Sequence, residues 1–187
     1  MPATPPLQPT LWRTCRVLAN RHRLKILGLL VRKTELTVSG VAEQLELSLP
    51  VASQYLRALE ARGLLASRRV GRCVQYRLNT ASAMEPAREL TAAVRLTFQR
   101  DPAPIEALFR LATTFTHPRR IEIFRALAAQ ARTTGQLQAV TRISAAALFR
   151  HRRKLEARGF VAGHRGLYAV ANRSDGFGRT LARLAAK

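Results

Sequence analysis

The chain writes one unit twice. Ser48 to Leu78 reads SLPVASQYLRALEARGLLASRRVGRCVQYRL, and Ser144 to Val170 reads SAAALFRHRRKLEARGFVAGHRGLYAV. Both hold Leu-Glu-Ala-Arg-Gly followed by an apolar residue, and both reach a tyrosine soon after. Any element plan that fits one copy has to fit the other. Two copies are too few, and each too complete, for a solenoid. Aligning the halves pairs Arg23 with Arg120, Ile26 with Ile123, Ser48 with Ser144, Leu59 with Leu155 and Tyr76 with Tyr168. The expectation is a tandem of two similar domains, 11–100 and 101–187, after a proline-rich flexible arm over 1–10.

The first copy sets the plan. Val17, Leu18, Leu24, Ile26, Leu27, Leu30 and Val31 recur at helical spacing, and Asn20 splits the run as an N-cap. "TELTV" predicts a short strand, and Ser39 is expected to cap a short helix over "GVAEQLEL". Ser48 caps the next helix, with Pro50 in its first turn, where a missing N–H costs nothing. That helix is expected to reach Arg62 and to stop at Gly63. Two short strands follow, joined at Val70-Gly71-Arg72 as a hairpin. A helix starts or breaks near Pro86. "RDPAPIE", with two prolines in four residues, marks the boundary between the halves. The same order then repeats, from "IEALFRLATTF" through the hairpin "FVAGHRGLYAV" to a final helix, "GRTLARLAAK". The expected fold class is mainly α with small β-hairpin wings, as tandem winged helix-turn-helix domains.

In a helix-turn-helix, the longer second helix enters the major groove. Its spacing separates two faces. Leu49, Ala52, Leu56 and Leu59 are expected to pack on the core, with Pro50, Ser53, Gln54 and Arg57 opposite. Ser and Gln can hydrogen-bond base edges, and Arg57 can reach guanine or a phosphate. Arg68, Arg69 and Arg72 on the hairpin suit phosphates or a narrow minor groove. The overall charge agrees: 32 Lys and Arg stand against 11 Asp and Glu, a net +21. That excess favours a polyanionic partner. It is no tail effect, because residues 1–100 carry net +10 and residues 101–187 net +11.

"LANRHRLKILGLL", "SLPVASQYLRALEARGLL" and "SRRVGRCVQYRL", in that order over about residues 11–80, resemble the ArsR-type winged-helix repressors of bacteria and archaea. The resemblance implies a cytoplasmic repressor that binds double-stranded DNA, usually as a homodimer. It places Ser53 and Gln54 on the base-reading helix, beside Ser48 and Val51. Many such repressors sense metals through Cys-x-Cys at the start of the short third helix. Here that place reads Thr37-Val38-Ser39, which offers no thiolate. Glu85 and Glu89 lack a histidine beside them and read as solvated. No metal and no cofactor is expected.

The second copy departs from the first. Arg150, His151, Arg153 and Lys154 suit DNA phosphates, but Phe149 falls where Ser53 sits and Arg152 falls where Leu56 sits. Either the helix is rotated with Phe149 turned inward, or this copy clamps backbone or dimerises instead of reading bases. Cys15 and Cys73 make no CxxC pair, which fits a reduced interior. No Gly-rich phosphate loop, Gly-x-Ser-x-Gly elbow or His-Glu-x-x-His pattern occurs, so no enzyme is expected, and the apolar runs are too short to span a bilayer. The reading is a bacterial DNA-binding transcriptional regulator that represses by occluding a promoter. The rivals are a nonspecific nucleoid or architectural protein and a winged-helix protein-interaction module.

Overall fold

The structure, a computed structural model, describes residues 10–187; of the expected N-terminal arm only Thr10 falls within them. The elements run α1 (Leu11–Leu18), α2 (Arg21–Arg32), β1 (Leu36–Thr37), α3 (Val38–Gln44), α4 (Leu49–Glu60), β2 (Leu65–Val70), β3 (Cys73–Leu78) and α5 (Glu85–Arg100). The order then recurs: α6 (Ile105–Ala112) with a 3-10 turn (Thr113–Phe115), α7 (Pro118–Ala129), β4 (Arg132–Thr133), α8 (Thr134–Thr141), α9 (Ala145–Ala157), β5 (Val161–His164), β6 (Leu167–Val170) and α10 (Gly176–Ala186). The fold is mainly α with two small antiparallel sheets, ordered β1-β3-β2 and β4-β6-β5. Leu36 faces Tyr76 in one sheet and Arg132 faces Tyr168 in the other, so the aligned tyrosines share one register position.

The likeness extends to single hydrogen bonds. Thr37 caps α3 by accepting from Gly40 N, and Thr133 caps α8 by accepting from Gln136 N. Glu46 and Arg142, each in the turn before the long helix, both take left-handed backbone, at φ 52° and 51°. Gly63 and Gly159 end α4 and α9 at φ 70° and 68°, a conformation that glycine adopts without Cβ strain. Leu64 N then donates to Leu59 O at 3.1 Å, and Phe160 N to Leu155 O at 2.9 Å.

Three expectations need correction. The cap of α3 is Thr37, not Ser39, because the helix begins at Val38 and Ser39 already lies inside it; its hydroxyl sits 3.0 Å from that of Thr37. Leu49 does not pack on the core. It is the first residue of α4, beyond the point where the helix meets α2, and it is 56% exposed. Glu85 and Glu89 are not merely solvated: Glu85 pairs with Lys187, and Glu89 with Arg183 at 2.5 Å.

Those last pairs tie α5 to α10, and the two halves share one continuous core from Leu11 to Ala185. The halves meet through equivalent elements. Helix α5 packs on its counterpart α10, and α1 packs on α6 and the following 3-10 turn. Aligned residues meet differently across the seam. Arg21, at the start of α2, lies 4.0 Å over the ring of Phe109 on α6. The aligned residues, Pro118 at the start of α7 and Trp12 on α1, line one cleft. Element meeting its own counterpart is the contact pattern of a two-fold interface, realised here within one chain.

Candidate nucleic-acid interface

Helix α4 buries Ala52, Leu56 and Leu59 completely, which fixes its roll about its own axis. The roll turns Pro50, Gln54 and Arg57 to solvent and leaves Val51 and Ser53 half-buried, while Ser48, at the N-cap, is exposed. A short entry turn sets the helix off from α3, held by Leu47 N donating to Ala42 O at 2.9 Å. The hairpin β2–β3 is fastened to the same helix, because Ser67 Oγ donates to Glu60 at its C-terminal end.

The hairpin tip, from Arg68 to Val74, is exposed throughout. Its three arginines differ. The Arg68 guanidinium donates to Glu35 at 2.5 Å and to Gln75 at 3.3 Å, so its charge is already compensated and it braces the sheet. Arg69 donates only to Gly71 O, at 3.3 Å, and neither Arg69 nor Arg72 makes an ion pair among the described residues. Those two cations stand free on the hairpin that is fastened to α4. The turn Gly71-Arg72 needs φ 59° at its glycine, and nothing lies within 4 Å of where a Cβ would sit.

Helix α9 has the same roll as α4. Leu148 and Leu155 are fully buried, and Arg152, at 7% exposure, occupies the core place of Leu56. The alternative of a rotated helix with Phe149 inward is therefore wrong, since Phe149 is 51% exposed. Burying Arg152 is feasible because its stem is apolar and its head finds partners. The guanidinium lies 3.9 Å from the Tyr168 ring and donates to Glu156 at 2.7 Å. Gly163 makes this room: a Cβ there would stand 2.5 Å from the Tyr168 ring. The aligned residue in the first half is Ser67, the donor to Glu60. Losing that hydroxyl leaves Glu156 available to Arg152. Arg150 and Arg153 are exposed, and His151 and Lys154 half-buried.

A basic cluster missed in the sequence flanks α9. The His117 and His151 rings stand 4.5 Å apart, and Arg120, fixed by carbonyls of Thr113 and Thr114, lies nearby. Burial, reinforced by Arg120 and Arg119, pulls the His117 ring below the usual histidine range. Burial and then His117 do the same to His151. The signal for this pair was the alignment itself, which places His117 with Asn20 and His151 with Tyr55. In the first half His22 stacks on Tyr55 at 5.9 Å. Of the thiols, Cys15 is buried, which pushes its titration far up, while Cys73 is exposed on the hairpin.

Residues 18–68 match the family model of a helix-turn-helix domain. The match runs from the end of α1 to the middle of β2, so it contains all of α2, α3 and α4. It supports a DNA-binding regulator of the winged helix-turn-helix type. No curated protein sequence matches the chain. No helix among the described residues is long and apolar enough to cross a membrane, and none of their His, Cys, Asp and Glu side chains group in threes as a metal site requires.

Proposed function

We propose that this chain is a sequence-specific transcriptional regulator in which two winged helix-turn-helix domains, 11–100 and 101–187, act as the two halves of a dimer. The observation that carries the reading is the joint exposure of Gln54, Arg57, Arg69 and Arg72 beside one rigidly held helix. Hydrogen-bonding groups on α4 face outward, and the uncompensated Arg69 and Arg72 stand on the hairpin fastened to that helix. Ser48, Pro50, Val51, Ser53, Gln54 and Arg57 supply choice of sequence. Arg69 and Arg72, with Arg150, His151, Arg153 and Lys154, supply salt-dependent attraction to phosphates, and Arg68 keeps Arg69 and Arg72 in place.

The pairing of α5 with α10 and of α1 with α6 supports the dimer-like part. A homodimeric reader has to find its partner before it binds; here the partner is covalently present. The mode of action is repression by promoter occlusion in a bacterial cytoplasm, as the resemblance to ArsR-type repressors suggests. A second copy of the chain is not needed to present two reading helices.

In vitro selection of bound duplexes at physiological salt tests this. A recovered motif spanning two half-sites is expected. Gln54→Ala should flatten the base preference at one position by about 1–3 kcal/mol, the worth of a bidentate contact, with a smaller loss of total binding. Protection that never localises on DNA would favour an architectural protein. Absence of duplex affinity would favour a protein-interaction module.

A further inference from the structure

We propose that α9 reads thymine methyl groups through Phe149, so that the two half-sites of the bound DNA differ in sequence and stand in fixed order. The proposal rests on the DNA-binding reading above and extends it to the second helix, whose recognition chemistry that reading leaves open.

Three observations carry it. First, α9 and α4 have the same roll, so Phe149 occupies the place of Ser53 and Arg150 that of Gln54. Second, the first turns of α9 present Ala145 and Ala146, both exposed, where α4 presents Leu49 and Pro50. The N-terminal part of a recognition helix is the part that meets base edges. An Ala and Phe surface has no hydrogen bond to offer a base, but it packs on the C5-methyl of thymine. Third, the apolar ring is set among cations. Arg152 and Arg153 lie 5.7 Å from it, and Arg150 and Arg153 are exposed. A half-exposed phenylalanine ringed by positive charge suits a surface that is itself polyanionic and carries methyl groups. A neutral apolar partner would have to bury the exposed Arg150 and Arg153 guanidiniums unpaired.

Phe149 also lies two helical turns before Glu156, on the flank of α9 beside β5. Its place is thus on the hairpin side of the helix. Helix α4 offers a hydroxyl and a carboxamide there. The chain therefore carries two unlike readers, and a palindromic operator would mismatch one of them.

The test uses the full chain and the duplex recovered by selection. Each thymine of one half-site is replaced in turn by uracil, which removes only the methyl. Losing one buried methyl should weaken wild-type binding about three- to fivefold at one or two positions. Phe149→Ala should bind the thymine duplex more weakly and be insensitive to those same replacements. Phe149→Leu, which keeps an apolar side chain, should restore part of the sensitivity. The side chain is half-exposed, so both variants should stay folded, which thermal unfolding checks. A uracil penalty identical in wild type and Phe149→Ala overturns the proposal while leaving the regulator reading intact. So does a recovered motif that is a true palindrome, or a Phe149→Ala chain that binds the thymine duplex as wild type does. Failure to bind any duplex overturns both readings.

Discussion

Helices α4 and α9 stand at equivalent places in the chain, with a serine at each N-cap, a glycine after each C-terminus and the same roll, yet they differ on both faces. Inward, α4 packs Leu56, and α9 packs Arg152 beneath Tyr168. Outward, α4 shows Ser53 and Gln54, and α9 shows Phe149 and Arg150. Around them, the buried Leu18, Leu27 and Leu64 of the first half become Phe115, Phe124 and Phe160, whose rings pack edge-on at 4.9–6.2 Å. The backbone plan tolerates this because volume and register, rather than residue identity, define it. Surface chemistry has diverged while geometry has not, which is what one expects if the second helix has a different target and the same docking pose.

The sharpest way to break this comparison is in the cores. Leu56→Ala should lower the unfolding free energy by about 2–5 kcal/mol, from lost burial and the cavity left behind. Arg152→Leu, which copies the first half into the second, should be near neutral, because a well-packed apolar residue commonly replaces a buried charged one at no net cost. Arg152→Ala should be clearly worse than Arg152→Leu. Denaturant melts on the three variants measure this. If Arg152→Leu costs as much as Leu56→Ala, then the Arg152–Tyr168–Glu156 arrangement is a specific determinant of the second half rather than a tolerated substitute.

How far the sequence led depended on the range of the interaction. Asn20, Gly63 and Gly159 act within a few residues, so helix limits could be read from them. The first hairpin followed from Gly71 in the same way, and the second from the repeat. Leu49 misled because apolar spacing says which side a residue is on, but not whether a neighbour is present at the helix end. Arg152 misled because its burial depends on Tyr168, Gly163 and Glu156, which lie on two other elements besides its own. The pairing of α5 with α10 lay furthest from view. Glu85 meets Lys187 across about a hundred residues of chain, and nothing local to either announces the partner. The candidate contact residues of α4 were legible, since helical periodicity alone turns Gln54 and Arg57 outward. That Arg68 is neutralised by Glu35 was not.

The hairpins extend the comparison. Strands β2 and β3 have six residues each and carry Arg69 and Arg72 near the tip, whereas β5 and β6 have four, with His164 and Arg165. Two fewer residues per strand shorten the reach by about 7 Å. Arg72→Ala should therefore reduce the slope of log affinity against log salt by about 0.9, one phosphate's worth. Arg165→Ala should leave the slope unchanged. Titrations from low to physiological salt on one duplex distinguish the two, and equal slopes for both variants would mean that the shorter hairpin also reaches the backbone.

The smallest expected effect separates the two helix flanks by pH. His117 and His151 are both held below the ordinary histidine value, first by burial; Arg120, Arg119 and Arg16 of α1 add to this at His117, and His117, Arg120, Arg150 and Arg119 add to it at His151. Neither ring is paired with a carboxylate among the described residues. A depressed folded value means the unfolded chain takes up protons first. The stability these rings contribute is whole above about pH 6.5 and is lost as pH falls through their folded values. Glu85 and Glu106, held below the usual carboxylate range by Lys187 and Arg21, lose theirs only at lower pH. Between pH 7.5 and 5.5 the melting temperature should thus fall slightly, by about 1–2 °C given solvent screening at this partly exposed site. His151→Tyr, which installs the residue of the first half, should remove the share of that fall due to His151, and His117→Asn with it should remove the rest. Duplex binding should move the opposite way, because a phosphate beside the rings favours the protonated form, so affinity should rise over the interval in which stability declines. A melting temperature that stays flat in wild type, or a fall that survives in the double variant His117→Asn, His151→Tyr, would locate the titrating group outside this cluster.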